Sequence, residues 1–306
     1  MSKVQAAVIT QNAKGKGMAG DASTRMARSN SAAVAPLIQP RDFFLFAYLS
    51  AATLVAWGVP EPLWPRVCEW WGRLGARGRA QTMQVRGIAR ILKGQPLAGE
   101  ARRITAAHAA NIHHSRLQYL RCYRFDDWHP RVRLAGHEQV EQALNAGRGA
   151  VIWIAPFDFS NLMPLVTAHR HGFKVIALSR TEHGISLTRF GARMFNPIFT
   201  SIEGRYLGER VVMPWGRSAG VLHELCRRVR ENKIVAIRAI SGPGHRTFVA
   251  PFLSGTLRIA AGSPIIALRA GAPLLPAFTI RHEDGSFSTT IEPPLHAAEG
   301  LGVQAA

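Results

Sequence analysis

The sequence predicts an α/β fold with a mainly parallel sheet, preceded by N-terminal helices. Three observations carry this expectation. From about residue 135 onward, short runs rich in Val, Ile and Ala alternate with stretches of helical periodicity, which is the pattern of strands joined by crossover helices. Turn-forming residues punctuate these runs, at SGPGH (241–245) and at Asp284-Gly285. With 306 residues, 47% of them hydrophobic, the chain has enough apolar surface for one large core with an N-terminal appendage.

The first 40 residues are rich in Ala, Ser, Gly, Lys and Arg and almost free of aromatics. So little apolar surface does not offset the entropy of ordering, and a disordered basic tail is expected over 1–40. No compact apolar core with a small-residue cleavage site follows the early lysines, so the tail is not read as a secretory signal. Residues 41–134 form a helical region. Within it, FFLFAYLSAATLVAWGVP (43–60) carries no charge and approaches the ~20 apolar residues of a bilayer crossing. The next stretch, residues 61–81, alternates Trp64, Trp70 and Trp71 with Arg66, Arg73, Arg77 and Arg79, a mixture suited to a membrane interface. Two readings stand: membrane contact through an anchor or interfacial helices, or a buried first helix followed by an amphipathic one. Lys and Arg flank the segment on both sides and leave its orientation open.

The core is placed at 135–296. GAVIWIA (149–155) reads as a buried strand, NLMPLVTAHRH (161–171) as a helix and FKVIAL (173–178) as the next strand. GRSAGVLHELCRRVREN (216–232) is amphipathic, with Val221, Leu222, Leu225 and Val229 on one face, and KIVAIRAI (233–240) returns to the sheet. A helix is expected over 257–271, although Pro264 breaks the pattern of an interior turn. Strands follow at 272–281 and 286–293, and residues 297–306 form a C-terminal tail. The stretch 204–217, with Arg205, Arg210 and Arg217, reads as a basic surface loop.

Thirty-eight Lys and Arg against nineteen Asp and Glu give a formal charge of +19, which points to an anionic partner. Nucleic acid is the weakest candidate, because the charge is dispersed and no nucleic-acid-binding signature accompanies it. An anionic membrane surface and a phosphorylated small molecule remain. Cys68, Cys122 and Cys226 are far apart, match no zinc or redox spacing, and read as reduced thiols; no metal site is expected.

The order of segments over residues 43–295 resembles the lipid A late acyltransferases, the lauroyl and myristoyl transferases of the lysophospholipid acyltransferase superfamily. The stretch 249–295, with its G-A-P-x-x-P strand, acidic-Gly turn and closing I-E-P-P-L, is similar to that family's C-terminal block, and GRGAVIWIAPFDFSN (147–161) stands where its first block does. The resemblance implies an αβα sandwich with a mainly parallel mixed sheet. It also implies transfer of a fatty acyl group from acyl carrier protein or acyl-CoA to a hydroxyl of a glycolipid or lysolipid. No cofactor is implied beyond that thioester co-substrate, and the expected place is the cytoplasmic face of the inner membrane. The family adds a helical segment after the I-E-P-P-L block, where this sequence has HAAEGLGVQAA (296–306).

The family's first block carries His-x4-acid, because an acceptor hydroxyl needs a general base and the imidazole needs a carboxylate. Alignment on the strand puts Pro156 at the histidine and Asn161 at the acid. Proline accepts no proton, and asparagine supplies no charge to an imidazolium. The substitutes within reach are Asp158, inside the block, and His183 and His245 in loops expected to follow strands, where α/β sheets place functional side chains. His169 and His171 lie about 12–15 Å along the helix from Asn161 at 1.5 Å per residue, too far for local replacement. For substrate binding, Arg180 closes the strand that starts near 173, while Arg258 is expected at a helix start beside Gly255, with free backbone N–H groups offering an anion site. Three functional readings follow: an acyltransferase with displaced or weak catalysis, an inactive lipid- or acyl-carrier-binding relative, and, last, a nucleic-acid binder.

Overall fold

The computed structural model describes residues 36–75, 79–124, 130–180, 183–213, 218–240 and 246–295. The tail at 1–35, the residues after 295, and His245 lie outside the described residues.

Four helices come first: α1 (Pro40–Gly58), α2 (Trp64–Gly75), α3 (Arg79–Ile91) and the long α4 (Ala101–Arg124). Strand β1 (Val132–Ala135) leads into α5 (His137–Asn145), β2 (Ala150–Ile154), α6 (Met163–Arg170) and β3 (Val175–Arg180). Helices α7 (Arg189–Met194) and α8 (Asn196–Arg205) precede β4 (Glu209–Met213), α9 (Ser218–Arg230) and β5 (Ile234–Arg238). The chain then forms β6 (Thr247–Phe252), β7 (Gly255–Ala260), α10 (Gly262–Ala270), β8 (Leu274–Arg281) and β9 (Phe287–Ile291).

Seven strands make one mixed sheet in the order β1-β9-β8-β2-β5-β3-β4. Every neighbouring pair is parallel except β8 with β9. Strand β2 is buried on both faces because its alternating side chains serve two cores. Ala150, Ile152 and Ile154 join α5 and α6 through Val140, Leu165 and Ala168, whereas Val151 joins α9 and α10 through Leu225, Val229 and Ile266. The result is an αβα sandwich. Entry into β2 requires a glycine: Gly149 has φ 62°, and a Cβ there would stand 2.3 Å from the Val229 carbonyl oxygen. Gly136, at φ 74°, meets the Ile291 carbonyl oxygen even more closely, at 1.9 Å, so neither position accepts a side chain without moving backbone.

The N-terminal helices wrap α4. Ala52 and Ala56 of α1, Trp64 and Cys68 of α2, and Ala110, Leu117 and Leu120 of α4 form one buried cluster. Among the described residues, no helix is long and apolar enough to cross a membrane. Of the two readings of 43–60, a crossing anchor is not what α1 presents: it spends one face on α4 and leaves Phe43, Phe44, Phe46 and Leu54 exposed. The tryptophans divide as well. Trp64 is buried and donates through Nε1 to the Val59 carbonyl (3.0 Å), Trp71 packs edge-on against Tyr48, and Trp70 is left exposed.

Two further expectations are corrected. The helix expected over 257–271 is a strand followed by a helix, because β7 pairs with β6 as an antiparallel hairpin ending at Ala260 and α10 begins only at Gly262. Pro264 thereby falls in the first turn, where its missing N–H has no intrahelical partner to lose. The stretch read as a basic loop at 204–217 contains β4, an edge strand paired in parallel with β3. A short edge strand with a charged first half lacks the continuous apolar run of a central one, which is why ERVVM did not announce itself.

Candidate active site

A cleft of about 290 Å³ opens at the carboxyl ends of β2, β3 and β5, the place where open parallel sheets gather ligand-binding loops. This is at the small end of ligand clefts, which run about 300–1,000 Å³. Its floor is the loop after β2, Pro156 to Asn161, and its far walls are His183–Ile185 after β3 and Arg238 at the end of β5. Helix α4 closes the remaining side with His108, Asn111, Ile112, Ser115, Arg116 and Tyr119. Their spacing (i, i+3, i+4, i+7, i+8, i+11) is one face of an α-helix.

The floor loop is held in an unusual backbone. Ala155 donates to the Ala277 carbonyl (2.8 Å) and Ala239 donates to that of Ile154 (2.8 Å), so the loop leaves the sheet between two neighbouring strands. Phe159 then takes φ 66°, a region that costs an L-residue about 1–2 kcal/mol. Its ring is buried edge-on against His114 of α4 (5.6 Å between centroids) and Phe287 of β9 (5.2 Å). Those contacts offset the strain and fix the loop against α4.

On that loop, Asp158 meets α4. Its Oδ1 lies 2.7 Å from Nδ1 of His108, and its Oδ2 accepts a hydrogen bond from the Asn111 amide at 2.8 Å. The bond to Asp158 raises the His108 pKa above the ordinary histidine value, although partial burial pulls it the other way. His108 makes no other hydrogen bond among the described residues.

A second histidine–carboxylate pair lies across the cleft. Nε2 of His183 sits 2.8 and 3.0 Å from the two oxygens of Glu203 on α8. Glu203 is buried, and it also accepts from the Tyr119 hydroxyl at 2.7 Å and from Arg210 at 3.2 Å. Burial and the neighbouring Glu203 charge push the Tyr119 pKa well up, whereas burial lowers that of Arg238. A smaller cavity of about 50 Å³ lies alongside and shares Asn161, His183, Glu203 and Arg238. Around these cavities, Oγ of Ser160, Oδ1 of Asn161 and Nε of Arg238 are buried and have no hydrogen-bond partner among the described residues.

Of the residues singled out from sequence, Asp158 and His183 line the cleft together with Pro156 and Asn161. Arg180 ends β3 but does not line it. Arg258 and Gly255 lie on the exposed strand β7, not at a helix start, so no helix N-terminus stands there to make the expected anion site. The cleft's arginines are Arg116 and Arg238 instead, and its lining mixes apolar rings with charged groups. Sequence reasoning missed His108, Asn111, Glu203 and Arg238. A signal for the first two was present, since a polar stripe of His, Asn, Ser and Arg at helical spacing runs along a helix otherwise committed to packing.

No curated protein sequence matches the chain. The sequence profile of the bacterial lipid A biosynthesis acyltransferases matches residues 36–300, which takes in the N-terminal helices, the whole sheet and every residue of the cleft. With that match and with the mainly parallel αβα sandwich around it, the chain belongs to the bacterial lipid A biosynthesis acyltransferase family.

Proposed function

We propose that the protein transfers a fatty acyl group from a thioester, acyl carrier protein or acyl-CoA, to a hydroxyl of a phosphorylated glycolipid or lysolipid at a membrane surface. The observation that carries this reading is the position of the cleft: it opens beside Pro156, where the family's motif carries its base, and it holds two histidine–carboxylate pairs. Arg116 and Arg238 supply positive charge within it for an anionic acceptor or carrier. The exposed Phe43, Phe44, Phe46 and Leu54 of α1, with a net charge of +19, favour attachment to an anionic bilayer without crossing it.

One feature favours a second reading, binding of the lipid or the acyl carrier without turnover: Pro156 and Asn161 stand at the two motif positions. The deciding experiment incubates the purified full chain with radiolabelled lauroyl-acyl carrier protein or lauroyl-CoA, and with lysophosphatidylethanolamine or a lipid A precursor as acceptor. Turnover on the order of 1 per second or more, at the low end of ordinary enzymes, establishes the transferase. Saturable thioester binding with no labelled product establishes the second reading.

A further inference from the structure

We propose that His108, oriented by Asp158, is the general base of the acyl transfer and replaces in space the histidine that Pro156 replaces in sequence. This rests on the acyl-transfer reading above. Asp158 is two residues beyond Pro156 in the floor loop, and both it and His108 line the same cleft. A base has to reach the acceptor hydroxyl, whichever element carries it.

The geometry of the pair fits that work. The carboxylate of Asp158 is held on both oxygens from adjacent turns of α4, by His108 at 2.7 Å and Asn111 at 2.8 Å. Facing a carboxylate, Nδ1 carries the proton, and the neutral ring then presents its Nε2 lone pair as acceptor. That nitrogen has no partner among the described residues. Half of the His108 side chain is exposed, 49% against 28% for Asp158, which leaves it open to a substrate entering the cleft.

The other pair is less suited. Nε2 of His183 faces both oxygens of Glu203, and that carboxylate also answers Arg210 and Tyr119. Its negative charge is already met by a guanidinium, so little remains to stabilise an imidazolium. Asp158 has only a neutral amide as its second partner, and its charge is undivided.

In the step itself, Nε2 of His108 takes the proton of the acceptor hydroxyl as the oxygen attacks the thioester carbonyl carbon. The C–O bond forms, the tetrahedral intermediate collapses with rupture of the C–S bond, and the proton on Nε2 passes to the departing thiolate. An ester and a free thiol result, and His108 is neutral again. Asp158, held on its other oxygen by Asn111, acts through His108 and is a positioning residue.

The test uses the full-length chain, lauroyl-CoA as donor and lysophosphatidylethanolamine as acceptor, in wild type, H108Q, H108A, D158N and H183Q, with unfolding midpoints measured for each. H108Q is expected to lower kcat by about 10²–10⁴-fold, the usual contribution of a general base, with KM little changed. Added imidazole is expected to restore part of the H108A activity, which a structural role for His108 would not permit. The acid limb of the pH profile is expected to move to lower pH in D158N, because the bond that raises the His108 pKa is then made to a neutral amide in place of a carboxylate. Transfer by H108Q at the wild-type rate, or loss in H183Q alone, overturns the proposal and leaves the acyl-transfer reading standing. Absence of transfer by the wild-type chain itself overturns both.

Discussion

Replacing Glu203 by glutamine tests the buried network beside the cleft. Glu203 is 6% exposed and accepts from three groups: the Tyr119 hydroxyl, His183 and Arg210. Glutamine preserves the volume, and its carbonyl still accepts from Tyr119. Its amide, however, turns donors toward Arg210 and His183. Removing one charge from a buried pair costs about 3–5 kcal/mol. Arg210 is 22% exposed and keeps a bond to the Thr200 carbonyl at 2.9 Å, so a loss nearer 2–4 kcal/mol is expected, including about 1 kcal/mol or more for each charge-assisted bond lost. Urea unfolding followed by circular dichroism reads this as a lower midpoint with an unchanged slope. Y119F, which removes only the neutral donor, provides the scale at about 1 kcal/mol. An E203Q midpoint indistinguishable from wild type would refute the reasoning, because it would mean that desolvation of the carboxylate cancels the attraction it receives.

The remaining predictions concern the helix and loop that frame the same cleft. His114 is buried edge-on between Trp64 and Phe159, and burial pushes its pKa down to about 3. Because the unfolded chain takes that proton first, stability is full above the ordinary histidine value and is lost as pH falls from there toward 3. H114F keeps a ring in place and is expected to flatten the decline in unfolding temperature between pH 6.5 and 4; an unchanged slope would contradict this. At Phe159, alanine loses the ring and keeps the strained φ of 66°, for a cost of about 3–5 kcal/mol. F159G loses the ring but relieves the strain, so it is expected to be about 1 kcal/mol more stable than F159A, a reversal of the usual order that equilibrium unfolding measures directly.

The central strands were legible because burial on both faces writes a continuous apolar run, as in AVIWI and IVAIR. Their crossover helices were legible through periodicity, Val221 to Val229 above all. Elements at the margins were not. Strand β4 pairs on one side only, and β7 carries Leu257 and Ile259 on a hairpin largely in solvent, so neither shows the pattern that burial imposes. The floor loop was legible as a site through its place after a strand and its misfit to the family motif. Its partner was not, because His108 is 50 residues away, and only the packing of α4 across the ends of the strands brings it to Asp158.

That packing is what brings an imidazole and a carboxylate together in a family member with proline at the base position. The requirement is for an imidazole nitrogen and a carboxylate at one spot in the cleft, and two elements converge there, the β2 loop and α4. In the motif both groups belong to the loop. In this chain the loop contributes the carboxylate and the helix contributes the ring, with Asn111 one turn on to hold the second oxygen. A pair split between two elements is only as well oriented as the contact between them. Phe159 supplies that contact: its left-handed backbone turns the loop, and its ring lodges against His114 on the same helix that carries His108. Strain at Phe159 and orientation at Asp158 are thus physically coupled, since relaxing the first removes what fixes the second.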